Sequence, residues 1–222
     1  MEKNMSRDAF LQQMKKGYDN IKVGNKYLPL LKLYDFAIYL SGNFPHKSSN
    51  ALIRKICRRF GLRRKKILDA GSFTGYHSFY FYCERNKVVG VELSDKAYYA
   101  QMRYKHYPVL FLKGDVLQAL DDMEDRTFDF IFCSNLPLHY DTGSVLTSVS
   151  FNTFMERAVN CLNPGGTLYY IFYSSKHPKV AIPVDSSELR MYCERSGLKN
   201  WSLENSQLLN NDTVELTVKN EV

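Results

Sequence analysis

Residues 65–76 of this 222-residue chain read Lys-Lys-Ile-Leu-Asp-Ala-Gly-Ser-Phe-Thr-Gly-Tyr. The apolar pair before Asp69 predicts a buried strand, Gly71 and Gly75 predict a tight loop, and the aromatic run at 79–82 predicts the start of a helix. Glycine has no Cβ, so a loop of this kind brings backbone close to a ligand. The stretch therefore predicts a strand, a ligand-binding loop and a helix in immediate succession.

Two common nucleotide-binding patterns are absent from this loop. A phosphate-binding loop needs Gly-x-x-x-x-Gly-Lys-Ser/Thr, which occurs nowhere in the chain. A dinucleotide-binding loop needs Gly-x-Gly-x-x-Gly, and Phe73 and Tyr76 stand where its second and third glycines belong. The loop is therefore expected to bind a different class of ligand.

Four further apolar runs follow along the chain, at residues 88–92, 109–113, 128–133 and 167–173. Helical patterns lie between these runs, and strands that alternate with helices predict a parallel sheet covered on both faces. The run at 88–92 ends in Glu92, and an acid at the tip of a second strand can accept hydrogen bonds from ribose hydroxyls.

The other runs also end in polar residues or are preceded by a turn. Gly114-Asp115 follows the third run, Ser134-Asn135-Leu136-Pro137 follows the fourth, and Asn163-Pro164-Gly165-Gly166 comes before the fifth. This ordered set resembles the class I S-adenosylmethionine-dependent methyltransferases over roughly residues 65–220. The resemblance implies a Rossmann-like α/β fold with a seven-stranded, mostly parallel sheet closed by an antiparallel hairpin at 201–208 and 213–219. It also implies S-adenosyl-L-methionine as cofactor and methyl transfer as the reaction.

The resemblance assigns a role to each residue at the carboxyl ends of the strands. The loop would hold the methionine part of the cofactor through Asp69, Gly71, Ser72, Phe73 and Gly75. The ribose would bind Glu92, with Leu93 beside it, and the adenine would bind Asp115 and the N–H of Val116. Ser134 or Asn135 would face the amino or carboxylate end of the methionine.

Phe73 departs from the family pattern, which has glycine or another small residue at this position. The ring either turns into the core or narrows the cofactor pocket. Its aromatic neighbours Tyr76 and Phe79 favour the core.

The acceptor is expected to be a small molecule or a lipid-like molecule. Residues 135–138, Asn-Leu-Pro-Leu, partly resemble the Asn-(Leu/Pro)-Pro-(Tyr/Phe) motif of adenine-N6 methyltransferases. Leu138 replaces the aromatic residue that stacks on the base, and such stacking is worth roughly 1–3 kcal/mol. An RNA or DNA methyltransferase and a non-catalytic cofactor-binding relative stay as alternatives.

Methyl transfer from a sulfonium needs mainly an aligned nucleophile, and a general base only when the acceptor is a hydroxyl or an acidic carbon. His139 and Tyr140 are the catalytic candidates. Tyr18, Tyr34, Pro137 and His177 are the candidates for the acceptor pocket. No histidines and cysteines have metal-ligand spacing, so no metal site is predicted.

The N-terminal part reads as helices at about 6–16, 28–41 and 48–60, broken by glycine, asparagine and proline. We expect residues 1–60 to form a helical cap over the cofactor. Residues 61–222 are expected to form the methyltransferase domain.

Positive charge is concentrated before the first strand. Residues 1–68 hold 16 Lys and Arg against four Asp and Glu, and eight of the thirteen residues at 54–66 are basic. This run reads either as the solvated face of an amphipathic helix or as a surface for an anionic partner such as nucleic acid or a membrane. Because it precedes the first strand, it should lie away from the carboxyl ends of the strands.

Composition adds an expectation about location. The first eight residues are polar and charged, no long apolar stretch occurs, and the five cysteines are scattered without a Cys-x-x-Cys pair. These features predict a cytoplasmic protein with buried free thiols. They do not predict the oligomeric state.

Overall fold

Strands and helices alternate through residues 47–123, 127–134, 148–173, 186–205 and 213–221, the parts of the chain that the computed structural model describes. The six helices in these ranges are α1 (Lys47–Arg59), α2 (Tyr76–Cys83), α3 (Lys96–Arg103), α4 (Val116–Asp121), α5 (Ser148–Asn160) and α6 (Ser186–Arg195). The strands are β1 (Lys66–Ala70), β2 (Lys87–Glu92), β3 (Val109–Lys113), β4 (Phe128–Ser134), β5 (Leu162–Tyr173), β6 (Trp201–Asn205) and β7 (Thr213–Lys219).

The seven strands form one sheet in the order β3-β2-β1-β4-β5-β7-β6. Strands β1 to β5 pair in parallel, and β7 pairs antiparallel with both β5 and β6. The strand order reverses between β1 and β4, which is where an open α/β sheet forms its ligand-binding crevice. The predicted Rossmann-like sheet with a closing antiparallel hairpin is confirmed.

Helices cover both faces of the sheet. Since neighbouring residues of a strand point to opposite faces, each strand contributes to two clusters. Ile67, Phe130 and Phe132 lie in a cluster with residues of α1, α2 and α3. Leu68 and Ile131 lie in a second cluster with residues of α4, α5 and α6. Continuous apolar runs such as Phe128–Ser134 thus supply two cores from one strand.

Most predicted element bounds agree with the structure to within two or three residues, with two exceptions. Strand β5 begins at Leu162, five residues before the predicted run, and the pairing of β4 with β5 shifts register between Phe128 and Phe130. The short helix α4 has too few residues to give a periodic signal. The predicted helices at 6–16 and 28–41, and with them most of the predicted cap, lie outside the described residues.

The helix α1 is held on the sheet by a partly buried ion pair as well as by apolar packing. Nη1 of Arg59 lies 2.5 Å from Oε2 of Glu215, whose side chain is 2% exposed. Nη2 of Arg59 is 3.4 Å from Glu204. Arg59 is therefore a structural residue, which the interpretation of the basic run as a solvated helix face did not anticipate.

The cysteines agree with the prediction of free thiols: all five are free and four of them are buried. Within the described ranges, no helix is both long enough and apolar enough to cross a bilayer.

Backbone approaches side chains closely at Gly90, in the middle of β2. A Cβ at this position would lie 2.8 Å from Oγ of Ser78, 2.9 Å from the ring of Phe111 and 3.0 Å from Cβ of Ser72. Side chains from α2, β3 and the loop after β1 thus meet in the space that a side chain at residue 90 would fill. The loop is positioned by this packing.

We expect Gly90→Ala to lower the free energy of unfolding by about 1–3 kcal/mol, because the added methyl group overpacks this site. Urea denaturation of the full chain measures the change. Gly114→Ala is the matched control: its Cβ would meet no atom within 4 Å, and Gly114 is not among the positive-φ glycines. Equal stability of the two variants would contradict the close packing.

Candidate active site

The loop after β1 is tied to β2 by its backbone. The N–H groups of Gly71 and Ser72 both donate to the carbonyl of Val91 at 2.9 Å, and the N–H of Gly75 donates to the carbonyl of Ser72 at 2.8 Å. Gly75 has φ +80°, and a Cβ there would lie 2.8 Å from the ring of Phe111. The predicted glycine loop therefore lies at the carboxyl ends of β1 and β2, against the crevice where the strand order reverses.

Asp69 lies beneath this loop with 1% of its surface exposed. Its Oδ2 accepts a hydrogen bond from the hydroxyl of Ser78 at 2.5 Å. Burial raises the pKa of Asp69 to about 7, the hydrogen bonds from Ser78 lower it, and the nearby charge of Glu92 raises it. Asp69 is thus a structural carboxyl group that links β1 to α2.

Glu92 ends β2 and is the most fully hydrogen-bonded acid of the loop region. Its Oε2 accepts the N–H of Phe73 at 2.9 Å. Its Oε1 accepts the N–H of Ser94 at 2.9 Å and the hydroxyl of Ser94 at 2.6 Å. A carboxylate has about four lone-pair directions, so three are used and one on Oε2 stays open.

Phe73 does not turn into the core. Its side chain is 52% exposed, and Nζ of Lys96 lies 3.6 Å above the centre of its ring. Its φ is +51°, in the left-handed region that glycine occupies without strain. The preference for a core position, drawn from the neighbouring aromatics, is wrong because this left-handed turn carries the side chain outward.

Asp115 is the N-cap of α4. Its Oδ1 accepts the N–H groups of Leu117 at 2.7 Å and Gln118 at 3.3 Å. The neighbouring Val116 is buried, with 3% of its surface exposed. The sequence carried a signal for this cap, since Asp-x-x-Gln resembles a capping box.

The structure gathers one group of the predicted site residues. Asp69, the loop, Glu92, Asp115 and Ser134 all lie at or just after the carboxyl ends of β1 to β4. The neighbouring Leu93 is 46% exposed. The other predicted residues lie outside the described residues: Tyr18, Tyr34, Asn135, Pro137, His139, Tyr140 and His177.

Three residues of this region were missed by sequence reasoning. They are Ser78, which bonds Asp69, Ser94, which bonds Glu92, and Lys96, which covers Phe73. Ser78 had a signal, because a serine within an aromatic helix start needs a polar partner when buried. In the described ranges no group of three His, Cys, Asp or Glu could hold a metal ion.

Comparison with known proteins gives one family and many structures. Residues 67–166 match the model of a family described as a methyltransferase domain. The chain is 18% identical to an S-adenosylmethionine-dependent methyltransferase of Aquifex aeolicus, with a TM-score of 0.61 and coverage of 82% of this chain and 97% of that one. It is 16% identical to a protein of Pyrococcus horikoshii, with a TM-score of 0.64 and coverage of 89% and 99%.

A third similar structure contains two bound small molecules. It is the 1,6-didemethyltoxoflavin-N1-methyltransferase of Burkholderia thailandensis with 1,6-didemethyltoxoflavin and S-adenosylhomocysteine, at 16% identity, a TM-score of 0.57 and coverage of 90% and 91%. At these identities the likeness is one of fold. A comparison with curated proteins gives no significant match.

The strand order, the glycine loop beside Glu92 and the domain match define a Rossmann-like methyltransferase domain. Residues 67–166 are thus a methyltransferase domain, and the sheet has the fold of S-adenosylmethionine-dependent methyltransferases, as the ordered motifs predicted. S-adenosyl-L-methionine is the cofactor of the Aquifex enzyme that shares this fold.

Because residue 73 is left-handed, we expect Phe73→Gly to be more stable than Phe73→Ala by about 1 kcal/mol, since only glycine avoids the strain of this conformation. Melting temperatures of the two full-length variants measure the difference. Phe132→Ala, at a fully buried ring, is the control and should cost about 3–5 kcal/mol. A Phe73→Gly variant that loses as much stability as the control would return the ring to the core.

The raised pKa of Asp69 makes folding stability depend on pH. Since the folded state binds this proton more tightly than the unfolded state, its contribution is complete below about pH 3.8 and is lost as the pH rises to about 7. The variant Asp69→Asn has no such proton to lose. We therefore expect the free energy of unfolding of the variant, minus that of the wild type, to rise between pH 3.8 and about 7 by at most about 1.4 kcal/mol per pH unit. Parallel stability curves for the two proteins would contradict the assignment.

Proposed function

We propose that the chain transfers a methyl group from S-adenosyl-L-methionine to a small-molecule or lipid-like acceptor at the carboxyl ends of β1, β2 and β4. One observation carries the proposal: Glu92 lies beside the glycine loop and bonds the N–H of Phe73 at 2.9 Å. A loop and an acid joined in this way can bind two parts of one ligand. The ribose hydroxyls would bind Glu92 through the open lone pair on Oε2 and through rotation of the Ser94 hydroxyl.

The backbone of the loop has more free hydrogen-bond acceptors than free donors for the cofactor. Within residues 71–75, the N–H groups of Gly71, Ser72, Phe73 and Gly75 already donate inside the protein. The ammonium of the methionine part is a donor and needs carbonyl or carboxylate oxygens. We therefore assign this group to the loop carbonyls.

The remaining cofactor roles follow the positions along the strand ends. Asp115 retains Oδ2 for the adenine amino group while its Oδ1 caps α4. The backbone of Val116 and the exposed side chain of Leu93 would complete the adenine site. Ser134 and Asn135 would bind the other end of the methionine.

Phe73 is compatible with turnover. Its backbone has the left-handed conformation that a glycine adopts without strain, so a small residue at this position would follow the same path. Its ring lies outside the packed core, where one face contacts Lys96 and about half of the residue is exposed to solvent. This geometry favours a catalytic protein over a relative that has lost its cofactor loop.

Charge near the site favours a small acceptor over nucleic acid. Glu92, Asp95 and Asp115 lie at the carboxyl end of the sheet, and Asp95 is neutralised by Lys113 at 2.7 Å. The two remaining carboxylates outnumber the one cation beside them, Lys96, so this end has no excess of positive charge to attract a phosphate backbone. The Burkholderia enzyme, whose fold is similar, contains bound 1,6-didemethyltoxoflavin.

The chemistry asks the protein mainly to hold the acceptor in line with the methyl group at about 3–3.5 Å. His139 and Tyr140 are proposed to act as base or hydrogen-bond partner if the acceptor is a hydroxyl. Tyr18, Tyr34, Pro137 and His177 are proposed to shape the acceptor pocket.

The test is a transfer assay with methyl-labelled S-adenosyl-L-methionine and a cell extract, followed by size separation. We expect label in a fraction of small molecules, together with S-adenosylhomocysteine. Label in RNA, DNA or protein would overturn the proposed acceptor class. Absence of label in every fraction, despite cofactor binding, would favour a non-catalytic protein.

We expect Glu92→Ala to weaken binding of S-adenosyl-L-methionine by about tenfold to a hundredfold, because a hydrogen bond to a charged group contributes roughly 1.5–3 kcal/mol. Titration calorimetry of the full chain measures the affinity. Asp95→Asn is the matched control, because its carboxylate lies at the same end of the sheet but pairs with Lys113 on the surface. Unchanged affinity in folded Glu92→Ala would remove Glu92 from the site.

A further inference from the structure

A cluster of positive charge lies at the amino ends of β1 and β2, opposite the candidate active site. Six exposed side chains form it, and we call this surface the basic end: Arg63, Arg64, Lys65, Lys66, Arg85 and Lys87. Across the described residues, none of the six has a carboxylate within ion-pair distance. The nearby Asp129 instead accepts the backbone N–H of Lys66 at 2.8 Å and the side chain of Asn163 at 3.1 Å.

The fold brings like charges directly together at the basic end. Lys66 and Lys87 are register partners in the parallel pair β1–β2. In the loops just before them, the N–H of Arg64 donates to the carbonyl of Arg85 at 3.1 Å. Like charges placed opposite each other on neighbouring strands destabilise a sheet. This arrangement therefore adds no stability to the sheet.

Backbone strain occurs at the same two arginines. Arg64 has φ +59° and Arg85 has φ +69°, in the region that favours glycine. The buried Asn86 holds both loops in this shape: it accepts the N–H of Lys65 at 3.0 Å and donates to the carbonyl of Phe81 at 3.1 Å. Strained residues of this kind concentrate at functional sites.

An apolar groove of about 660 Å³ adjoins these cations. Lys66 and Lys87 lie on its wall, and most of the remaining lining is aliphatic or aromatic. Leu110, on the edge strand β3, is 54% exposed within it, and Pro108 is exposed beside it. The surface therefore combines exposed apolar side chains with cations that have no ion-pair partner among the residues that the structure describes.

We propose that the basic end docks the protein on an anionic phospholipid bilayer. The cations match the phosphate groups of the lipid surface, and Leu110 with the groove matches the boundary between headgroups and acyl chains. Most of the groove lining is aliphatic, and the ring of Phe128 is only 3% exposed, so Tyr82 is the main aromatic side chain left to stack on a base. The positive charge of the basic end thus favours an anionic ligand, and the apolar lining of the groove favours a lipid over other anionic ligands.

The proposal concerns binding and leaves the reaction unchanged. The basic end lies at the amino ends of the parallel strands, whereas the candidate active site lies at their carboxyl ends. Binding to vesicles and binding of S-adenosyl-L-methionine can therefore be measured separately, and either can fail without the other.

The test is sedimentation of the full chain with extruded vesicles in 0.1 M salt. Vesicles of equal phosphatidylglycerol and phosphatidylcholine are compared with vesicles of phosphatidylcholine alone. We expect binding to the anionic vesicles only, and a loss of about tenfold or more when Arg63 and Arg64 are both changed to Glu. The matched control changes the exposed Arg190 and Arg195 of α6 to Glu, which alters net charge equally at the other edge of the sheet and should retain binding.

Two further variants separate the parts of the proposal. Leu110→Ser should weaken vesicle binding by about threefold or more, since it removes apolar area. Arg64→Gly with Arg85→Gly should reduce vesicle binding while keeping or raising the melting temperature, since it removes two charges and two strained residues. The double glycine variant tests the same surface if the protein with Arg63 and Arg64 changed to Glu does not fold.

Several outcomes would overturn the proposal. These are no preference for anionic vesicles, equal loss in the α6 control, or unchanged binding in Leu110→Ser. Retention of the chain by single-stranded poly(U) RNA without binding to anionic vesicles would reassign the basic end to nucleic acid.

Discussion

The geometry of the candidate site depends on the missing side chain of Gly90. Ser78 of α2, Phe111 of β3 and Ser72 of the loop all fill the space beside it. Phe111 also contacts the position where Gly75 would carry a Cβ, so one ring supports both glycines of the site. The bond from Ser78 to Asp69 and the bond from Phe73 to Glu92 are possible only because three elements close together at this point. The positions of the polar groups of the candidate site thus depend on the close packing around Gly90.

The sheet and the positions of the acids could be predicted because each rests on a local signal. Apolar runs of four to seven residues define the buried parallel strands, and residues that follow such runs lie at one edge of the sheet. Glu92 and the glycine loop were therefore placed correctly at the same edge. The hairpin of β6 and β7 was predicted from the resemblance, and the structure places β7 between β5 and β6.

Other features could not be predicted because they depend on backbone angles and on contacts between distant residues. The outward direction of Phe73 follows from a left-handed φ that no neighbouring residue type indicates. Arg59 reads as one more cation of an amphipathic helix, yet its partner Glu215 lies 156 residues away. The pairing of Lys66 with Lys87 likewise appears only when β1 and β2 are in register. The local pattern of apolar residues predicts the strands and helices. The partners of their polar side chains depend on tertiary contacts that this pattern does not contain.

The two ends of the parallel strands carry opposite charge in the described part of the chain. Six cations lie at the amino ends. At the carboxyl ends, about 20 Å away along a strand of six residues, Lys113 neutralises Asp95, and Glu92 and Asp115 outnumber Lys96. Such a separation gives this part of the molecule an electric dipole directed along its strands. In the field of any negatively charged surface the dipole exerts a torque, which turns the amino ends forward before contact is made. The opening at the carboxyl ends would then face the bulk solution, so acceptors would enter from the water side.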